Sequence, residues 1–366
     1  MSEPALPAGR MRSIDFFRGI TMFLLIGEFS GLFERLAEPP FEGGMVAALA
    51  TQLQHHPWNG LRFWDLIQPF FMFIVGVSLA LSVHNRQKRG EGRRELNRHV
   101  LQRSVLLLLL GWGLYYIDDG AITWRFQNVL AQLAVTYPLA YLVMNRPPRF
   151  QIVFSLALLL LAEGLYRFFP LEGFNQPFTA GHNLGEWLEL QLNGDIPGGH
   201  WVSLNALSTT AHTIWGVLAG QWLLGGESPS NKLRMLLVAG GVLLAAGYAL
   251  DPLTPIIKRI ATSSFVLASG GWTVLALAFS YWLIDLKKKD RAVLFFAVVG
   301  MNPLFIYLFA HVGGGRLLER IFYPFTHAVF AWAGETVAAV ATALAVWTAL
   351  WGICWWLYKK KIFIRL

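Results

Sequence analysis

Apolar runs of about 20 residues recur along the whole chain, and each is long enough for a helix to cross the roughly 30 Å of hydrocarbon in a bilayer. A soluble fold of 366 residues has no interior that could hide so many apolar helices. The chain is 55% hydrophobic and only 14% charged, which supports the same reading. The expectation is an all-α, polytopic integral membrane protein with about 10 transmembrane helices. The spans fall near 14–33, 63–83, 104–118, 127–144, 150–168, 205–224, 234–250, 262–284, 292–311 and 334–358. No internal repeat or flexible linker divides them, so residues 1–366 read as a single transmembrane domain.

Charge sets the expected orientation. Of the 30 Lys and Arg, Arg18 lies within the first span and only eight fall in the loops on the far side from the N-terminus. The other 21 gather on the N-terminal side, in runs such as Arg86 to Arg103, Lys287 to Lys289 and Lys359 to Lys361. The positive-inside rule then predicts that both termini are cytoplasmic. The same placement argues against nucleic acid as the partner of the +8 net charge, because the basic residues sit between apolar runs and face lipid headgroups. Arg10 and Arg12 precede the first run with no small-residue cleavage site after it, so that span is expected to remain as an anchor. Cys354 is the only cysteine; an intrachain disulfide and a cysteine cage are excluded, and an inert packing role is expected.

Two polar excursions interrupt the spans, near 34–62 and 169–204. In the second, Trp187, Leu188, Leu190 and Leu192 alternate with Glu186, Glu189, Gln191 and Asn193, the pattern of a short interfacial segment or of a structured loop. The first carries the densest polar cluster in the chain. His55-His56-Pro57-Trp58-Asn59-Gly60 runs into Asp65 and the apolar helix that follows. A histidine titrates near neutral pH and suits proton transfer from an amine; either His55 or His56 can serve. Asn59 can donate to a developing oxyanion, and Asp65 can orient an imidazole, cap the helix or pair with Arg62.

Ionisable side chains at membrane depth are costly and mark function by default. Asp15 and Arg18 share one helical face and can pair, with Arg18 also placed to meet an anionic ligand from the cytoplasm. Glu28 reads as deeper in the first span and needs a partner or a water-filled cavity. Arg125 stands at a span entrance, Lys258 precedes Thr262-Ser263-Ser264, and Asn302-Pro303 breaks the ninth span. Unwound backbone at that depth usually lines a cavity. Gly216 and Gly220, four apart, suit close helix packing. Two adjacent histidines rarely ligate one ion, and no spacing matches a metal cage, so no metal is expected.

These residues resemble those of the heparan-alpha-glucosaminide N-acetyltransferase family, and its compact bacterial relatives in particular. The resemblance is carried by Ser13-Ile14-Asp15-Phe16-Phe17-Arg18-Gly19, by His55 through Gly60, and by Asp65-Leu66-Ile67-Gln68-Pro69-Phe70-Phe71. It continues through Arg125 to Ala134, Leu207-Ser208-Thr209, Lys258 to Ser264 and Gly300 to Tyr307. What the resemblance implies is transfer of an acetyl group from cytosolic acetyl-CoA to the amino group of a glucosamine-type sugar on the far side. It singles out His55, three residues before the tryptophan, as the active histidine, with His56 as its neighbour. Beside it, the reading of the residues themselves assigns Asn59 and Asp65 to assist, and Glu28, His56, Trp58 and Arg125 to the acceptor side. Polar residues of the first, eighth and ninth spans would line the cofactor tunnel: Arg18, Lys258, Ser263, Ser264 and Asn302, with Arg103 among the basic residues for the CoA phosphates. The expected partners are the bilayer, acetyl-CoA and an amino-sugar or glycan acceptor, with a homodimer left open. The expected location is a bacterial inner membrane with the His55 segment facing the periplasm. The rival reading is a proton-coupled transporter of a small polar solute or sugar, using Asp15, Glu28, Asp65 and the histidines as a relay.

Overall fold

A computed structural model describes residues 11–39, 41–289 and 291–364; Arg10 and the two chain termini, on which the anchor and orientation arguments partly rest, lie outside the described residues. The described chain is helical. In order, the helices are α1 (Arg12–Glu28), α2 (Leu32–Arg35), α3 (Met45–Gln52), α4 (Ile67–Lys88), α5 (Arg93–Asp119), α6 (Val129–Met144), α7 (Pro148–Arg167), α8 (Leu184–Asn193), α9 (Asn205–Leu224), α10 (Pro229–Leu250), α11 (Ser263–Ser280), α12 (Val293–Met301), α13 (Pro303–Phe309), α14 (Gly315–Phe330) and α15 (Glu335–Lys359). Their ends follow from local chemistry. Asn128 and Ser228 accept backbone N–H groups at the starts of α6 and α10, prolines open α7 and α10, and Gly120 ends α5 at φ +68°.

The helices form two compact units. One comprises the described residues within Met1–His55, Arg62–Ile67 and Phe279–Leu366. In it α1 lies on α12 through a core of Phe16, Ile284, Val293 and Ala297. Phe23 stacks near Trp347 of α15, whose indole donates to the Phe23 carbonyl at 3.0 Å. The other unit comprises His56–Leu61 and Gln68–Ala278. Its main core joins α4, α5, α6 and α9 through Leu79, Val83, Val100, Tyr137, Ala140, Ile214 and Val217. A second cluster of Tyr166, Leu184, Val202, Ile257 and Ile260 packs Trp58 and Trp187 against the 169–204 excursion. α4 and α9 approach so closely that a Cβ at Gly76 would strike the Thr213 carbonyl and one at Gly216 the Phe73 carbonyl. Small residues at a helix crossing serve this purpose in membranes.

Among the described residues six helices are long and apolar enough to cross a membrane, or seven if the bent pair Val293–Met301 and Pro303–Ala333 counts as one span. The protein is therefore an integral membrane protein, but the expected ten spans are not all of this type. α1, with 17 residues, and α6, with 16, are short. α9 has 20 residues but carries Asn205, Ser208, Thr209, Thr210, His212 and Thr213, all buried. A helix enclosed by protein can hold such residues because neighbouring helices satisfy them. The ninth span bends by 70° at Asn302-Pro303, where Asn302 leaves helical geometry at φ −125° and ψ 52°. Two helices fall where the sequence suggests loops, α3 and the amphipathic α14, and α8 falls where it leaves open a short interfacial segment or a structured loop.

Candidate active site

In the first unit, a single 3₁₀ turn, Phe63–Leu66, leads into α4 and fixes Asp65. Its carboxylate is buried, with 1% of the side chain exposed. One oxygen lies 3.0 Å from His55 Nδ1, and the other accepts the Arg62 backbone N–H at 2.9 Å. The Arg62 guanidinium closes the ring by donating to the His55 carbonyl at 3.0 Å. Asp65 therefore both caps the turn and holds an imidazole; the alternatives read from the sequence coexist. An ionised carboxylate only accepts, so the hydrogen on Nδ1 is assigned by this contact and the Nε2 lone pair is the basic site. The His55 side chain is 35% exposed, which leaves the ring accessible while its carboxylate is dry.

Glu28 stands at the C-terminal end of α1 and is exposed, rather than lying inside the span. It accepts the indole N–H of Trp64 at 2.8 Å. Trp64 is 2% exposed and packs edge-on against Phe33, so the residue next to Asp65 is immobilised on both its polar and apolar sides. Arg18 pairs with Asp15 at 3.5 Å, ten residues earlier on the same helix, roughly 15 Å along its axis from Glu28. Asn302 is buried, its amide donating to Ile362 O at 2.9 Å and accepting from Ile364 N at 2.8 Å. It fastens the chain beyond α15 to the break in the ninth span.

In the second unit, the rest of the polar motif is pinned to the segment before Lys258. Gly60 N–H donates to Ile256 O at 2.8 Å, and Asn59 forms an antiparallel bridge with Ile257. Gly60 adopts φ +147°, and a Cβ there would meet the His56 ring at 2.6 Å, so glycine is required for the ring to lie where it does. His56 Nδ1 accepts the Trp58 backbone N–H at 3.3 Å. Trp58 donates its indole N–H to Phe178 O at 2.8 Å, and Asn59 is exposed. Lys258 is 5% exposed, with its ammonium 5.4 Å from the centre of the Trp201 ring.

The remaining predicted residues are engaged elsewhere in this unit. Ser263 donates to Glu163 at 3.1 Å, and Ser264 lies 3.2 Å from the Thr262 hydroxyl. Arg125 bridges Asp119 at 3.1 Å and Asp195 at 2.5 Å. Arg103 lies over the Tyr137 ring at 4.8 Å. Among the described residues no group of three or more His, Cys, Asp or Glu is arranged to hold a metal ion.

One further constellation escaped the sequence reading. α8 is inside out: Glu186 and Glu189 are fully buried, while Leu190 and Leu192 are exposed. Glu186 lies 2.6 Å from His200 Nδ1 and also accepts the Asn183 amide at 2.6 Å. His200 has φ +58°, uncommon for a residue with a side chain, and its ring stands edge-on to Trp58 at 5.9 Å. This second imidazole–carboxylate pair had one sequence signal, Asn183-x-x-Glu186, whose asparagine is a helix N-cap and accepts the Glu186 N–H.

The comparisons with known proteins agree with the motif. Residues 10–184 match the family described as heparan-alpha-glucosaminide N-acetyltransferase, catalytic. The chain is similar to the heparan-alpha-glucosaminide N-acetyltransferases. The mouse (Mus musculus) enzyme of that name is 23% identical over 98% of this chain and 61% of its own length. The human (Homo sapiens) heparan-alpha-glucosaminide N-acetyltransferase is 24% identical over 99% of this chain and 60% of its own. The chain thus spans about three fifths of the length of these curated relatives. The matched region of the heparan-alpha-glucosaminide N-acetyltransferase family takes in His55, Asp65 and Arg62 together.

Proposed function

We propose that the protein is a transmembrane acetyltransferase, acting as one domain, that moves an acetyl group from cytosolic acetyl-CoA to the amino group of a glucosamine-type sugar on the extracytoplasmic side. The observation that carries this reading is the buried Asp65 carboxylate on Nδ1 of a partly exposed His55, inside the region matched to an N-acetyltransferase family. With Nδ1 occupied, Nε2 takes the proton as the amine nitrogen attacks the thioester carbon. The C–N bond forms and the C–S bond breaks. The thiolate leaves and is protonated to CoA, so the proton count closes. Asp65 stabilises the imidazolium that forms and keeps the ring from rotating, a role worth about 10²–10⁴-fold for a positioned general base.

For the acetyl donor, the polar residues named from the family motif remain our assignment: Arg18 and Arg103 for phosphate charge, and Lys258, Ser263, Ser264 and Asn302 along the acyl-carrying arm. Glu28, His56, Trp58 and Arg125 are assigned to the acceptor, and Asn59 to the oxyanion. We place the protein in a bacterial inner membrane with both termini cytoplasmic, and propose that any self-association gives a homodimer. The bend at Asn302-Pro303 also suits a transporter, whose sites are often built at broken helices. The two readings part experimentally. Purified protein given acetyl-CoA and glucosamine is expected to release CoA, and His55→Ala is expected to abolish release while the protein still inserts and melts as before. Full activity in His55→Ala removes that residue from the mechanism. Glucosamine uptake into proteoliposomes without CoA consumption replaces the enzyme reading with the transporter.

A further inference from the structure

A crevice of about 700 Å³ opens where α5 begins and α6 ends, at the face of the second unit remote from the 169–204 excursion. Its rim carries Arg93 and Arg146, both exposed, and neither enters an ion pair among the described residues. The one carboxylate that lines it, Glu91, is already paired with Arg86 at 2.8 Å. Tyr141 donates its hydroxyl to Asn97 Oδ1 at 2.7 Å, which leaves the Asn97 amide hydrogens as donors at the same rim. Arg93 also sits in the first turn of α5, where Glu95 already caps the helix by accepting the Gly92 N–H at 2.9 Å, so the anion-binding character of the rim rests on the two guanidinium groups.

Below the rim the chemistry changes. Leu101 and Leu142 line the crevice and are 65% and 70% exposed; Leu101 lies on α5, whose apolar run is mostly turned outward, and Leu142 is one of the few exposed side chains of α6. A soluble phosphate or nucleotide would use the arginines and leave these leucines without a partner. A membrane lipid uses both. Basic pockets between transmembrane helices, at the basic side of the membrane, are suited to anionic headgroups.

We propose that this crevice binds an anionic glycerophospholipid of the surrounding leaflet, its phosphate between Arg93 and Arg146 and an acyl chain over Leu101 and Leu142. The site is independent of the acetyl-transfer reading and stands whether or not that reading holds. The test uses the full-length protein purified in detergent, with phosphatidylglycerol or phosphatidylcholine added and retained lipid counted by native mass spectrometry. Phosphatidylglycerol is expected to be retained over phosphatidylcholine, and the double variant Arg93→Gln/Arg146→Gln to weaken that retention by roughly thirtyfold, at about a factor of five per arginine near an anionic surface. Leu101→Ser/Leu142→Ser is expected to weaken both lipids together. The headgroup preference is read on the unaltered protein, so it tests the idea even if a variant folds poorly. Equal retention of the two lipids, or unchanged retention in the arginine variant, overturns the proposal. So does displacement of the lipid by millimolar inorganic phosphate or by CoA, which would make the crevice a soluble-anion or nucleotide site.

Discussion

Asp65 meets His55 Nδ1 with one oxygen and accepts the Arg62 backbone N–H with the other. Asp65→Asn keeps the volume but offers one acceptor, so either the imidazole is held in the wrong tautomer or the turn loses its cap. The expected result is a fall in kcat of about 10²–10⁴-fold with KM little changed, and a stability loss of about 1–3 kcal/mol for the bond given up. CoA-release kinetics and melting in detergent check the two halves separately. The second pair behaves differently under substitution. His200→Gln leaves the fully buried Glu186 without its imidazole partner, whereas His200→Gln/Glu186→Gln removes the buried charge as well. The double variant is therefore expected to be more stable than His200→Gln alone, by about 1–3 kcal/mol, as read from the two melting curves. Equal melting would show that Glu186 is not held as a buried charge. His55 and Asp65 were legible in the sequence because they share one short polar block beside an apolar helix. His200 was not, since its partner stands 14 residues earlier on a helix whose polar side faces inward.

Individual helices show where periodicity informs and where it misleads. The long apolar runs marked α4, α7, α10, α11 and α15 to within about five residues at each end, whereas α5 begins at Arg93, eleven residues before the expected 104, because its first turns are basic and polar. α14 was missed, and α8 stays open between a short interfacial segment and a structured loop, because alternation and amphipathicity look alike over ten residues and burial of Glu186 reverses the usual sense of inside. The pair Gly216 and Gly220 was read correctly as a packing device, and its partner Gly76 on α4 is visible only in the structure. Adding one methyl group tests this crossing. Gly76→Ala and Gly216→Ala drive a Cβ into a backbone carbonyl that has no room to turn, and each is expected to cost about 1–3 kcal/mol. Gly113 in the middle of α5 meets nothing within 4 Å, so Gly113→Ala is expected to be neutral or to stabilise by up to about 1 kcal/mol. Detergent melting of the three variants separates a contact-limited glycine from an incidental one.

At the scale of the molecule, topology turns on α6. Its 16 residues rise roughly 24 Å, short of the roughly 30 Å of hydrocarbon. Yet α6 is not a lipid-facing helix. Leu130, Ala131, Leu133, Tyr137, Ala140 and Tyr141 are buried, and it packs on α5 and α9, so protein satisfies it along most of its length. Asn128 caps its start, and the residues between Gly120 and Asn128 form an irregular connection from α5. If α6 crosses, then α5, α6 and α7 make three passes and put Lys88 and Glu172 on opposite sides of the membrane. If it does not, two passes return them to the same side. Both residues are exposed, and the lone Cys354 is buried, so single cysteines can be read against a quiet background. With Cys354→Ala, Glu172→Cys is expected to react with an impermeant maleimide in intact cells, and Lys88→Cys only after the membrane is opened. That outcome fixes three crossings and the sidedness that the clustered arginines predict. Reaction of both in intact cells, or of neither, removes α6 from the spans; the reverse labelling keeps it and inverts the orientation, and with it the side from which acetyl-CoA must come.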